Sequence, residues 1–206
     1  MKRTTASLVI LFILVFGARA ARFEHRFRAD EKYRFLSTVE EDVYVNRRFS
    51  HSARILNRIS FQTAQVYPDG SGLLRGEFLT STRYEGLEAY VQDQQYQSEY
   101  RLAPNGVYDI APKYYMPVVR NVPTFPDRDL SPGDTWSAPG EERHDFRSDF
   151  GLPEPFVIPF TASYTYSGRE RRDGRDLGVI KVSYTIFHRP EEPKVHGEAF
   201  PTQIAG

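Results

Sequence analysis

Two stretches near the end of the sequence alternate apolar and polar residues with period two. In "FTASYTYSG" Phe160, Ala162, Tyr164 and Tyr166 alternate with Thr161, Ser163 and Thr165. In "VIKVSYTIF" Ile180, Val182, Tyr184 and Ile186 alternate with Lys181, Ser183 and Thr185. Successive side chains of a strand point to opposite faces, so this pattern puts one face of each stretch in a core. Between them "RERRDGRD" carries Asp173-Gly174, a pair favoured in tight turns because both positions tolerate positive φ. Together they predict an antiparallel hairpin.

Earlier segments repeat the pattern more weakly. Tyr33, Phe35 and Val39 share a face of "KYRFLSTV", and Val43 and Val45 continue it. Ile55, Ile59 and Phe61 alternate through "RILNRISFQT", which runs into the turn "PDGSG" at 68–72. "LLRGEFLTSTRY" puts Leu74, Phe78 and Tyr84 on one side, and "YQSEYRL", "APNG" and "VYDI" form another candidate hairpin. Strands at this spacing between Gly/Pro turns predict an all-β fold: an antiparallel sheet, sandwich or open half-barrel. The 13 Tyr and 15 Phe suit pleated surfaces and argue against disorder. Helical periodicity is confined to the N-terminus, apart from candidate short helices at 86–95 and 113–116.

Prolines 117, 123, 126, 132 and 139 crowd the segment "MPVVRNVPTFPDRDLSPGDTWSAPG". Each fixes its own φ and pushes its predecessor towards extended geometry, so the segment predicts a long extended crossover. In "SPGDTW", Pro132 and Gly133 are expected to reverse the chain, with Asp134 accepting backbone N–H groups. Trp136, the single tryptophan, would then open a strand and plug one end of the fold. These are structural roles: Trp136, Pro132, Gly133, Asp134, Asp173 and Gly174 are the residues the sequence singles out.

The N-terminus has a different character. A basic "MKRTT", the apolar run "ASLVILFILVFG" and "ARA" form a secretory signal peptide over 1–20, with a cleavage site before Ala21. The apolar run is about a dozen residues, short of the ~20 that span a bilayer, so no transmembrane span is expected after cleavage. The chain has no cysteine, which excludes disulfides and a lipid-modified N-terminal cysteine. Removing Lys2, Arg3 and Arg19 leaves 24 basic against 27 acidic residues, a net −3 that argues against a nucleic-acid partner. Residues 21–189 then form one β-rich domain, and 190–206 an irregular tail.

Catalytic chemistry has no signature here. Nucleotide-binding glycine motifs and the nucleophile elbow are absent, and the serine of "DGSGLL" belongs to a turn. His144 lies among Glu141, Glu142, Asp145 and Asp149, but Arg143 and Arg147 offset those acids, which points to a solvated strand or loop. His188 and His196 lack metal-ligand spacing. No catalytic residue, metal site or cofactor is expected.

The strings "VRNVPTFPDRDL" and "PGDTWSAPGEE", within a similarity over most of 30–190, resemble the β-rich N-terminal periplasmic region of spirochaete OmpA-family envelope proteins. The resemblance implies an exported domain in the periplasm or on the periplasmic face of the outer membrane. Nothing in the sequence matches the family's C-terminal OmpA-like domain, so its peptidoglycan site transfers to no residue here, and 190–206 would be the start of a missing C-terminal portion. The expected function is a non-catalytic structural or interaction role with an envelope protein or lipid as partner. The alternative is a periplasmic carrier that cradles a lipid or other apolar ligand on a curved sheet, and a contiguous apolar cavity would separate the two. An enzyme is the third reading.

Overall fold

The hairpin predicted near the end of the chain is formed by β8 (Phe156–Arg172) and β9 (Arg175–Ser183). Arg172 pairs with Arg175 across the two-residue turn Asp173-Gly174, where φ is 51° and 75°. A two-residue turn with both φ positive matches the right-handed twist of the strands it joins. Ile158, Phe160, Ala162, Tyr164 and Tyr166 are buried along one face of β8, as the alternation requires. A bulge between Tyr166 and Gly168 then re-aims the strand, and the charged tip lies in solvent. The strand in "VIKVSYTIF" ends at Ser183, though Ile186 still enters the core.

The protein is seen in a computed structural model describing residues 20–45 and 48–188, with the backbone of 194–195, 198–199 and 204–205. The expected signal helix lies outside the described residues. The fold is all-β and antiparallel, with one sheet curled as an open half-barrel. A five-stranded sheet runs β1 (Lys32–Val45), β2 (Arg48–Val66), β3 (Gly72–Tyr84), β4 (Val91–Leu102) and β5 (Tyr108–Ile110) in chain order. A four-stranded sheet follows as β6 (Val119–Arg120), β7 (Thr135–His144), β8 and β9. The single helical turn among the described residues, α1 (Arg147–Phe150), joins β7 to β8. The candidate short helices are corrected: 91–102 is β4 and 113–116 is turn and loop. The apolar residues of "VQDQQYQSEY" do not alternate, and pairing with β3 and then β5 holds it as a strand. Two-residue pairings, 187–188 with 204–205 and 194–195 with 198–199, occur in the tail region.

Each sheet buries its own cluster. Ala138, Ile158, Phe160, Ala162, Tyr164 and Ile186 form one. Leu74, Tyr100 and Leu102, with Phe27, Phe61 and Tyr108 against them, form the other. Each large side chain so buried contributes about 1.5–3 kcal/mol. The crossover after β5 ties the clusters together, and its Met116–Pro117 and Val122–Pro123 peptide bonds are cis.

A segment the sequence reading passed over completes the fold. Residues 21–27 run extended as a strap, with Ala21, Phe23, His25 and Phe27 turned inward and Arg22, Glu24 and Arg26 outward. Ala21 exchanges two backbone hydrogen bonds with Leu130, His25 N donates to Pro104 O, and Asp30 N donates to Thr63 O. Phe23 and Phe27 lie over Gly178 and Gly72, where a Cβ would stand 2.5 and 2.6 Å from the rings. One strap therefore touches both sheets and the crossover.

Candidate functional site

Cross-strand register builds one apolar face on the five-stranded sheet. Residues opposite one another in antiparallel strands point the same way. Phe35, Ile59, Phe78 and Tyr96 form one row across β1 to β4, and Val39, Ile55 and Thr82 form another. Near β5 this face is closed by the Leu74–Tyr100–Leu102 cluster. Towards Val39 and Ile55 it is open, and a cavity of about 870 Å³ lies against it.

The opposite wall comes from the crossover and the second sheet: Tyr115, Met116, Pro117, Val118 and Val119, then Tyr184 after β9. Ser98 Oγ donates to Met116 O at 2.6 Å in a buried position, which holds the crossover to β4. Tyr96 and Tyr115 meet edge to face at 5.0 Å where the walls converge. A polar rim carries Asp93, Glu142 and His144. Asp93 accepts from Thr82 Oγ1 at 2.6 Å. His144 Nε2 sits 3.1 Å from Glu142 Oε1, off hydrogen-bonding geometry, and its ring stacks on Phe146.

The acidic cluster around His144 is divided by the strand pleat. Glu142, Arg143 and His144 line the cavity, whereas Glu141 does not, and it pairs with Arg143 at 2.8 Å. Asp145 pairs with Arg147 at 2.6 Å, which holds its carboxyl below the usual range. Among the described residues no group of three His, Asp or Glu is placed to hold a metal ion. The side chain of Asp149 lies outside those described, as do those of His188 and His196.

The residues singled out from the sequence lie elsewhere. Trp136 is half-buried, stacks on Tyr164 at 5.1 Å and 8°, and donates from Nε1 to Thr124 O at 2.8 Å. It packs against the edge of the second sheet's core and is far from the rim. Pro132 and Gly133 lie in the turn before β7, and Gly133 N donates to Tyr166 O. Asp134 Oδ2 accepts from Ser131 N at 3.0 Å and Arg128 at 2.8 Å, and these bonds lower its pKa. Asp173 and Gly174 form the exposed hairpin tip.

Arg120 is the residue that sequence reasoning missed. It is fully buried between the clusters, and its guanidinium donates to the carbonyls of Tyr114, Tyr115 and Pro117. Burial, and then the nearby Arg143, lower its pKa to about 10, so it is cationic at neutral pH. An arginine in a proline-rich crossover gives no sequence signal of burial.

Burial pushes Tyr115 up to about 12 and raises Tyr100 and Tyr108 as well. A raised phenol pKa means the native state keeps its proton after the unfolded chain, near pH 10, has lost it. Stability is therefore full below about pH 10 and declines as pH rises from there towards 12. Phenolate absorbance from these three buried tyrosines should appear together with loss of the folded state in that window. Free titration of all tyrosines near pH 10 in a folded protein would contradict the burial described.

Comparison with known protein families, characterised proteins and solved structures finds no match. The chain's own geometry carries the functional reading.

Proposed function

We propose that this chain is a non-catalytic, exported cell-envelope domain that binds an apolar chain, such as that of a lipid, in the cavity between its two sheets. The observation that carries this is the cavity itself. Its volume of about 870 Å³ lies in the ~300–1,000 Å³ range of small-molecule sites. Apolar and aromatic side chains such as Ile55, Ile59 and Tyr115 line it together with polar ones such as Asn57, Glu40 and Glu142, which suits a ligand with an apolar body and a polar end. The N-terminal signal sequence and the resemblance to OmpA-family envelope domains support an envelope address. The cavity favours the carrier reading over a purely structural role, because a packing module gains nothing from leaving Val39 and Ile55 around open space.

Native mass spectrometry of protein recovered from the exported fraction should show a co-purified lipid. A neutral naphthylamine probe should bind with one-to-one stoichiometry and be displaced by that lipid. Ile55 is half-buried on the cavity wall. Ile55→Glu should weaken probe binding about tenfold or more, because the ligand must desolvate a carboxylate, while the fold persists. Absence of both lipid and probe binding would return the reading to a structural envelope role.

A further inference from the structure

The strand β1 stands at the end of its sheet with one edge unpaired, since its hydrogen-bonded neighbour is β2 alone. It is long, and it exposes apolar side chains on both faces: Phe35 is 54 % exposed, Leu36 71 % and Val39 43 %. Proteins usually blunt such an edge with a proline, a bulge or an inward charge. Over 32–43 β1 has no proline and no register shift; its bulge comes later, between Val43 and Tyr44. Its charges are segregated, with Lys32 and Arg34 at the start and Glu40, Glu41 and Asp42 towards the end. Neither Lys32 nor Arg34 has an ion-pair partner among the described residues.

We propose that β1 pairs antiparallel with β1 of a second copy of this chain, with Ser37 on the two-fold axis. An antiparallel strand paired with itself brings its basic start opposite its acidic end. With Ser37 at the centre, Lys32 faces Asp42, Arg34 faces Glu40 and Phe35 faces Val39. Each pairing occurs twice, as an isologous interface demands. The pleat allows neighbouring registers only in steps that keep odd residues opposite odd ones. Centring on Thr38 sets Phe35 against Glu41 and Leu36 against Glu40. Centring on Leu36 sets Lys32 against Glu40 but Phe35 against Ser37, and it leaves Glu41 and Asp42 beyond the start of the partner's β1. The Ser37 register is therefore selected by charge and by apolar matching together. It also brings Phe35 of the second copy onto Val39, which lines the cavity, so the apolar wall continues across the axis. The pairing stands independently of any ligand.

Sedimentation of the purified protein at micromolar concentration should give a dimer. Arg34→Glu alone and Glu40→Arg alone should each raise the dissociation constant about tenfold or more, since every change acts at two symmetric points. Mixing these two variants should restore the dimer, because each contact point again joins a cation to an anion. A variant that simply misfolded would not recover on mixing. The chain has no cysteine, so Ser37→Cys gives a clean crosslink. Directly opposed antiparallel residues have Cα atoms roughly 4.5–5.5 Å apart, within disulfide range. Ser37→Cys should oxidise to a covalent dimer, and Ser137→Cys, exposed on the other sheet, should not. A monomer at all concentrations overturns the proposal. So does a monomer whose β1 amides are fully protected from exchange, which would mean the edge is covered from within the chain. Failure of the mixed variants to associate overturns the Ser37 register.

Discussion

Gly106→Ala should lower the melting temperature by about 10 °C or more, the size expected for roughly 3–5 kcal/mol in a chain of this length. Gly106 sits in the turn between β4 and β5 with φ at 90°, a conformation L residues adopt only with strain. The crossover lies directly against it, and an added Cβ would run into the backbone carbonyl of Pro123. Backbone there cannot step aside cheaply. Phe125 N donates to Asn105 O at 2.8 Å, and Tyr108 N donates to Asn121 Oδ1 at 2.8 Å, fixing the crossover from both sides. Gly174 provides the control: its φ is 75°, but nothing lies within 4 Å of its Cβ position. Gly174→Ala should carry only the strain, about 1 kcal/mol. Equal losses for the two variants in denaturant unfolding would show that the close approach at Gly106 adds nothing.

Arg120→Met should cost about 3 kcal/mol. Methionine nearly fills the volume, so a cavity is not the cause. The loss lies in the acceptors left behind: the carbonyls of Tyr114, Tyr115 and Pro117 would stay buried without their donor. Replacing a whole buried ion pair by apolar residues is often neutral, but removing the donor that serves a set of buried acceptors is not. Glu141, whose carboxylate lies 3.5 Å from the Arg120 guanidinium, is less affected, because it is partly exposed and keeps Arg143. Arg120→Lys should recover part of the stability by supplying a donor with fewer directions. If Arg120→Met melts with the unchanged protein, the crossover is held by its packing alone.

The sequence spoke most clearly where a local pattern decides the structure. The β8–β9 hairpin follows from alternation and Asp173-Gly174, and the proline-rich 117–126 segment is indeed a crossover save for the two residues of β6. Burial within β2 is less regular, because Asn57 breaks the apolar series of Ile55, Ile59 and Phe61, yet β2 is continuous over 19 residues. There, pairing on both sides outweighs a weak pattern. The strap was missed although "ARFEHRFR" alternates, because four charged side chains face solvent and hide the inward row. The cavity was not legible at all. Each wall is an ordinary strand face or crossover, and only register brings Ile55, Phe78 and Val118 to one space. Glu142 and His144 were read as part of a solvated segment, and the pleat turns them inward.

The strap also sets an order of assembly. Ala21 is among the first described residues to be synthesised, yet its backbone partner, Leu130, is made more than half a chain later. Its ring-bearing neighbour Phe23 rests on Gly178, later still. Contacts this distant in sequence carry a large loop-closure entropy, and they form after the local hairpins. The segment made first is therefore the last to dock, and it closes over sheets that have already paired. Phe27 finds Gly72 early, but until then Phe23 has no place to go, and the newly made chain stays dependent on residues made much later.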